Sequence, residues 1–111
     1  MAYSNTYYGA KISPTKARLV IDLIRDKPVE QALTTLQMSK RRAAVLIRAA
    51  LQAAVANAVE VGELSSRQAN SLKVTDARVD QGPTVKRWRP KDRGRAHPIK
   101  KRTSHITVAV G

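Results

Sequence analysis

Apolar residues in the first half of the chain recur at helical spacing. After Ser13-Pro14, Ala17, Val20, Ile21 and Ile24 fall at i, i+3, i+4 and i+7, the stripe of an amphipathic helix. Serine is a good cap for such a helix, and proline suits its first turn, where a missing N–H costs nothing. The helix is expected to end near Asp26, because Lys27 precedes Pro28 and is pushed out of the α region. Pro28 then opens a short second helix with Val29, Ala32, Leu33 and Leu36 on one face. Ser39 is placed to cap a third, from about Lys40 to Val61, with Ala44, Ile47, Leu51, Ala54, Val55 and Ala58 as the buried stripe and Gly62 as the stop. Its many alanines make it a strong helix former with a face that allows close packing.

The period then changes from helix to strand. Leu72, Val74, Ala77 and Val79 alternate roughly with polar residues, while Ile106, Val108 and Val110 alternate cleanly with Thr107 and Ala109. These two segments are expected to pair as an antiparallel hairpin. Residues 2–12, with Tyr3, Tyr7, Tyr8 and Ile12, read as a further strand or an extended arm interrupted by Gly9. Residues 63–71 read as a polar surface loop, and no internal repeat is present. The result is a small α+β scaffold in one domain, residues 1–111.

Charge changes the picture. A net charge of +13 on 111 residues exceeds what solubility requires, and such a field attracts polyanions, nucleic acid before anionic membrane. The segment from Thr84 to His105 carries Lys86, Arg87, Arg89, Lys91, Arg93, Arg95, Lys100, Lys101 and Arg102 against Asp92 alone. Gly82, Pro83, Pro90, Gly94 and Pro98 punctuate it as turns, and it offers little to bury. If the flanking strands run outward to a tip near Pro90–Gly94, about eight residues per strand at ~3.3 Å each give an arm on the order of 25 Å. Mutual repulsion would keep that arm mobile until phosphates neutralise it, as in arginine-rich RNA-binding segments; the plainer alternative is a basic loop with no particular partner.

Two further signals point the same way. Lys16 and Arg18 sit in the opening turns of the first helix, and Lys40, Arg41 and Arg42 open the third, where the helix dipole disfavours cations by about 0.3–1 kcal/mol each. A phosphate at a helix start would turn that cost into a binding site, although a solvated face tolerating it explains Lys16 and Arg18 as well. Trp88 lies between Arg87 and Arg89 and either stacks on an unpaired base or packs over arginine stems of its own hairpin.

Catalytic readings are weak. Cysteine is absent, which removes disulfides, thiolate chemistry and cysteine-ligated zinc. Asp22 and Asp26 are spaced for one helix face, but Arg18 and Arg25 make an ion-paired surface the simpler reading. Asp76 and Asp80 could share a strand face without the further ligands a nuclease needs. His97 and His105 flank a cationic stretch hostile to a metal dication. No enzyme, cofactor or metal is expected. No signal-peptide core is evident and no apolar run approaches a membrane-spanning length, so a soluble chain without a membrane partner is expected. Dense charge on an extended arm favours irregular RNA over a DNA groove, with a DNA-binding architectural arm as the alternative.

With those residues in view, the chain closely resembles the universal large-subunit ribosomal protein family twenty-two, in its bacterial form. The resemblance runs nearly end to end and rests on SPTKARLVIDLIR at Ser13–Arg25, AAVANAVE around Asn57, VDQGPTVKRWRPKDRGRA at Val79–Ala96 and IKKRTSHITVAV at Ile99–Val110. It implies a small antiparallel sheet packed on three helices, with a long protruding hairpin whose basic arm spans residues 83–98. It further implies binding to large-subunit rRNA during assembly, neighbouring large-subunit proteins as partners, one copy per ribosome, and a cytoplasmic or organellar ribosome. The family hairpin penetrates the subunit, and its tip lines the exit tunnel, against the nascent polypeptide. Carried over, Lys86, Arg87, Trp88, Arg89, Pro90, Lys91, Arg93, Gly94 and Arg95 form the tunnel-side segment, and Lys100, Lys101, Arg102, Ser104 and His105 contact rRNA lower on the arm. The chain departs from the family pattern at Asp92, where alanine is usual at the tip, at Asp26, where glycine is expected, and in a slightly longer loop over residues 62–71.

Overall fold

The computed structural model describes residues 3–91 and 95–111, with the backbone alone for residues 85–91 and 95–101. In chain order it contains β1 (Tyr3–Ala10), α1 (Pro14–Ile21), α2 (Val29–Met38), α3 (Arg42–Glu60), α4 (Ser66–Asn70), β2 (Val74–Lys91) and β3 (Arg95–Val110). The strands form one antiparallel sheet in the order β1-β3-β2, so the C-terminal strand is central. The fold is α+β, with the helices on one face of the sheet.

Strand periodicity explains which face is covered. Ser104, Ile106, Val108 and Val110 of β3 all point into the core, where they meet Val20, Ile21, Val29, Ile47 and Leu51 from the helices. On β2, Val74 and Ala77 are both buried although three residues apart, which a regular strand forbids. A bulge resolves this: Val74 pairs with Val110 and Asp76 with Ala109, leaving Thr75 as the extra residue. The rough alternation in the sequence is the mark of that bulge.

The helices depart from expectation mainly at their ends. Ser13 caps α1 by position but its side chain makes no capping bond. α1 stops at Ile21 and tightens into i→i+3 turns, with Leu23 N–H donating to the Val20 carbonyl and Ile24 N–H to that of Ile21, so the apolar stripe still delivers a buried Ile24. Ser39 terminates α2 instead of capping α3, whose cap is Arg41. The polar loop expected over residues 63–71 contains α4, held by a capping box in which Ser65 Oγ accepts from Gln68 N–H and Gln68 Oε1 accepts from Ser65 N–H. Ala69 on that turn is fully buried.

α3 has 19 residues and is apolar enough by composition to cross a membrane, contrary to the expectation that no stretch reaches that length. Its small face, Ala43, Ala44, Ala50, Ala54 and Ala58 with Ile47 and Leu51, is buried against β1, β3 and the other helices. It is the central core helix of this domain.

Candidate nucleic-acid interface

Beyond the core the β2–β3 ladder continues. A second bulge lies between Gln81, paired with Ser104, and Thr84, paired with Arg102. There Thr103 Oγ1 donates to the Pro83 carbonyl at 2.7 Å, and a Cβ on Gly82 would lie 2.5 Å from Thr103 Oγ1, so the position demands glycine. From Thr84↔Arg102 the pairing runs without a further shift to Lys91↔Arg95. The prolines expected to break this stretch into turns are instead inside the ladder, Pro90 opposite Ala96 and Pro98 opposite Trp88. In a two-stranded ribbon each strand keeps one open edge, and proline's missing donor is tolerated where its nitrogen faces that edge. Eight residues per strand at about 3.3 Å make this segment roughly 26 Å long. The molecule measures 62 × 25 × 17 Å along its principal axes.

The register also sets Lys86 opposite Lys100 and Lys91 opposite Arg95. Like charges directly opposite one another destabilise a strand pair, and a polyanion relieves that cost. Asp92, Arg93 and Gly94, expected at the tip, lie outside the described residues, as do the side chains of Lys86, Arg87, Trp88, Arg89, Pro90, Lys91, Arg95, Lys100 and Lys101.

On the globular part, two separate stretches of sequence meet. Lys16 from α1 and Arg41 and Arg42 from the start of α3 surround one open depression of about 340 Å³ floored by Ile12 and Ala43. All three cations are exposed, and no acid occupies the first turn of α3. Three cations around a helix start are suited to a phosphate. Lys40, exposed, immediately precedes this group.

Arg18 is not among them. Because α1 is short, Arg18 falls in its last turn, where the dipole favours a cation, and the dipole argument made from sequence does not apply to it. Its guanidinium turns to the sheet edge, with Nε and Nη2 donating to the Val79 carbonyl at 3.3 and 3.0 Å. Arg25 Nε donates to the Ala77 carbonyl at 3.0 Å, while its Nη1 bonds Asp22. The remaining arm-base residues divide in the same way. Arg102 is exposed. His105 Nδ1 accepts from Gly9 N–H at 3.1 Å, and its ring packs edge-on against Tyr8 at 5.3 Å. Ser104, expected to contact RNA, is fully buried, and its hydroxyl donates to the Ile12 carbonyl at 2.6 Å; it belongs to the core.

Asp76 and Asp80 flank Arg78 at 4.0 and 3.8 Å, a solvated ion-pair group on the outer sheet face. No group of three or more His, Cys, Asp or Glu is placed to hold a metal among the described residues. Sequence reasoning missed the two arginine–carbonyl contacts, Arg18 in the last turn of α1 and Arg25 in the turns that follow it. The signal was their spacing, i and i+7, which in sequence reads equally well as surface charge on the expected helix.

A family model described as ribosomal protein L22p/L17e matches residues 6–111. The large ribosomal subunit protein uL22 of Magnetococcus marinus is 53% identical over 100 residues, covering 90% of this chain and 86% of the relative. The match takes in the ladder, the cation-lined depression and the whole sheet after its first residues, and the chain belongs to the ribosomal protein L22p/L17e family.

Proposed function

We propose that this ribosomal protein is a structural constituent of the large subunit that binds large-subunit rRNA, aids assembly, and contributes the tip of its hairpin to the wall of the nascent-chain exit tunnel. The observation that carries the reading is the β2–β3 ladder, which runs on past the core through the segment holding nine cations and one acid. A ribbon that buries little and opposes like charges gains stability from phosphates along its length. Residues 83–98 serve as this basic arm. Lys16, Arg41 and Arg42, with Lys40 beside them, hold a second stretch of rRNA backbone against the globular part. Neighbouring large-subunit proteins and, at the tip, the nascent polypeptide complete its surroundings, with one copy per ribosome.

Sucrose-gradient sedimentation of the tagged protein tests this. Stoichiometric co-sedimentation with large subunits that resists a moderate salt wash is expected. Release into light fractions with DNA or heterogeneous RNA would make it a general basic nucleic-acid-binding module.

A further inference from the structure

β2 is an edge strand, and an edge presents unpaired carbonyls and amides that invite water or another chain. Here backbone groups of that edge are taken at intervals from its start to Val79. The turn after α1 pairs with it first: Asp26 N–H donates to the Val74 carbonyl at 3.2 Å, Val74 N–H to Lys27 at 2.9 Å and Val29 N–H to Leu72 at 2.8 Å. Arg25 then takes the Ala77 carbonyl and Arg18 the Val79 carbonyl, two residues further on. After Val79 come Asp80, Gln81 and the bulge at which the ladder leaves the core. Arg18 therefore holds the outermost of these contacts on β2, next to the point from which the arm departs.

Two donors from one rigid fork on one carbonyl fix direction as well as distance, which a flexible ammonium cannot reproduce. We propose that Arg18 is a positioning residue for rRNA recognition, setting the angle at which the basic arm leaves the domain and making no phosphate contact itself. The assignment rests on the rRNA-binding reading above. It separates Arg18 from Lys16, Arg41 and Arg42, which it would otherwise join as one more surface cation.

Salt dependence distinguishes the two roles, because each phosphate contact adds about 0.7–0.9 to the slope of log K against log salt. The full-length chain and its Arg18→Met and Arg18→Lys variants would be titrated with large-subunit rRNA over a range of salt, with thermal unfolding recorded for each. Both variants are expected to bind roughly fivefold more weakly, through lost preorganisation, with the wild-type slope retained. Lysine should not rescue. Arg18→Lys, which keeps the charge and the stem, carries the test if Arg18→Met does not fold. A slope lowered by about one phosphate in Arg18→Met with full binding by Arg18→Lys would overturn the proposal, as would unchanged affinity in both. Lys16→Met serves as the contrasting control, expected to lower the slope. If the wild-type chain shows no salt-dependent rRNA binding, the rRNA reading falls first and this assignment with it.

Discussion

Asp26 holds its backbone at φ 60°, in the left-handed region that side chains other than glycine, asparagine and aspartate avoid. The conformation is needed because Asp26 N–H and Lys27 C=O must both turn toward Val74 on the edge of β2. The resemblance drawn from the sequence led to an expectation of glycine here, and the left-handed backbone is a physical reason for that expectation. Asp26→Gly is expected to raise stability by about 0.5 kcal/mol and Asp26→Val to lower it by about 1 kcal/mol or more, read from urea unfolding midpoints. Ser104 makes the opposite case, a residue whose neighbours suggested RNA and whose own burial assigns it to the fold. Removing its hydroxyl takes a donor from the partly buried Ile12 carbonyl, so Ser104→Ala should cost about 0.5–1.5 kcal/mol while leaving the salt slope of rRNA binding unchanged.

At the scale of elements, the helices with large apolar stripes and the cleanly alternating β3 were legible from the sequence, because each follows a single period. What could not be read is what breaks a period. The bulge at Thr75 appears in sequence only as a blurred alternation, and α1 loses its α geometry at Ile21 although the stripe continues to Ile24. The capping box Ser65–Gln68 was present in sequence, yet a five-residue helix has too few apolar positions to stand out from a polar loop. In the candidate site, Lys40, Arg41 and Arg42 were legible as a charged helix start. Their meeting with Lys16 required tertiary packing of α1 on α3. The bulge at Gly82 carries its own prediction. A methyl there meets Thr103, whose rotation would break its bond to Pro83, so Gly82→Ala should cost about 1–3 kcal/mol, measured by thermal unfolding. It should also weaken rRNA binding, since the same bulge sets the start of the arm.

The whole molecule is electrically lopsided. Seven of the eight acids lie outside residues 84–105, where Asp92 alone stands against the cations. Lys16, Arg41 and Arg42 share one depression on the globular part, and the ladder segment carries nine cations. Such a distribution orients the protein in the field of a polyanion before contact. Deleting residues 86–95 and closing the ribbon with a short turn should therefore leave cooperative unfolding intact while weakening rRNA binding and flattening its salt dependence. Loss of cooperative unfolding would show that the ribbon stabilises the domain. The two effects are separable by circular dichroism melts and filter binding on the same variant.

The strand order β1-β3-β2 has a consequence for how the chain is made. The strand at the middle of the sheet is the last of the three in chain order, so neither β1 nor the core part of β2, Val74–Gln81, has a partner in the sheet until residues 104–110 have been translated. At roughly 5–20 residues per second, β1 waits on the order of 5–20 s after its own synthesis. The helices, whose contacts are local, can form during that interval, but the sheet and the core beneath it must close in one late step. Folding should then be absent from chains arrested before β3 and complete in those arrested well beyond it, a sharp threshold in chain length.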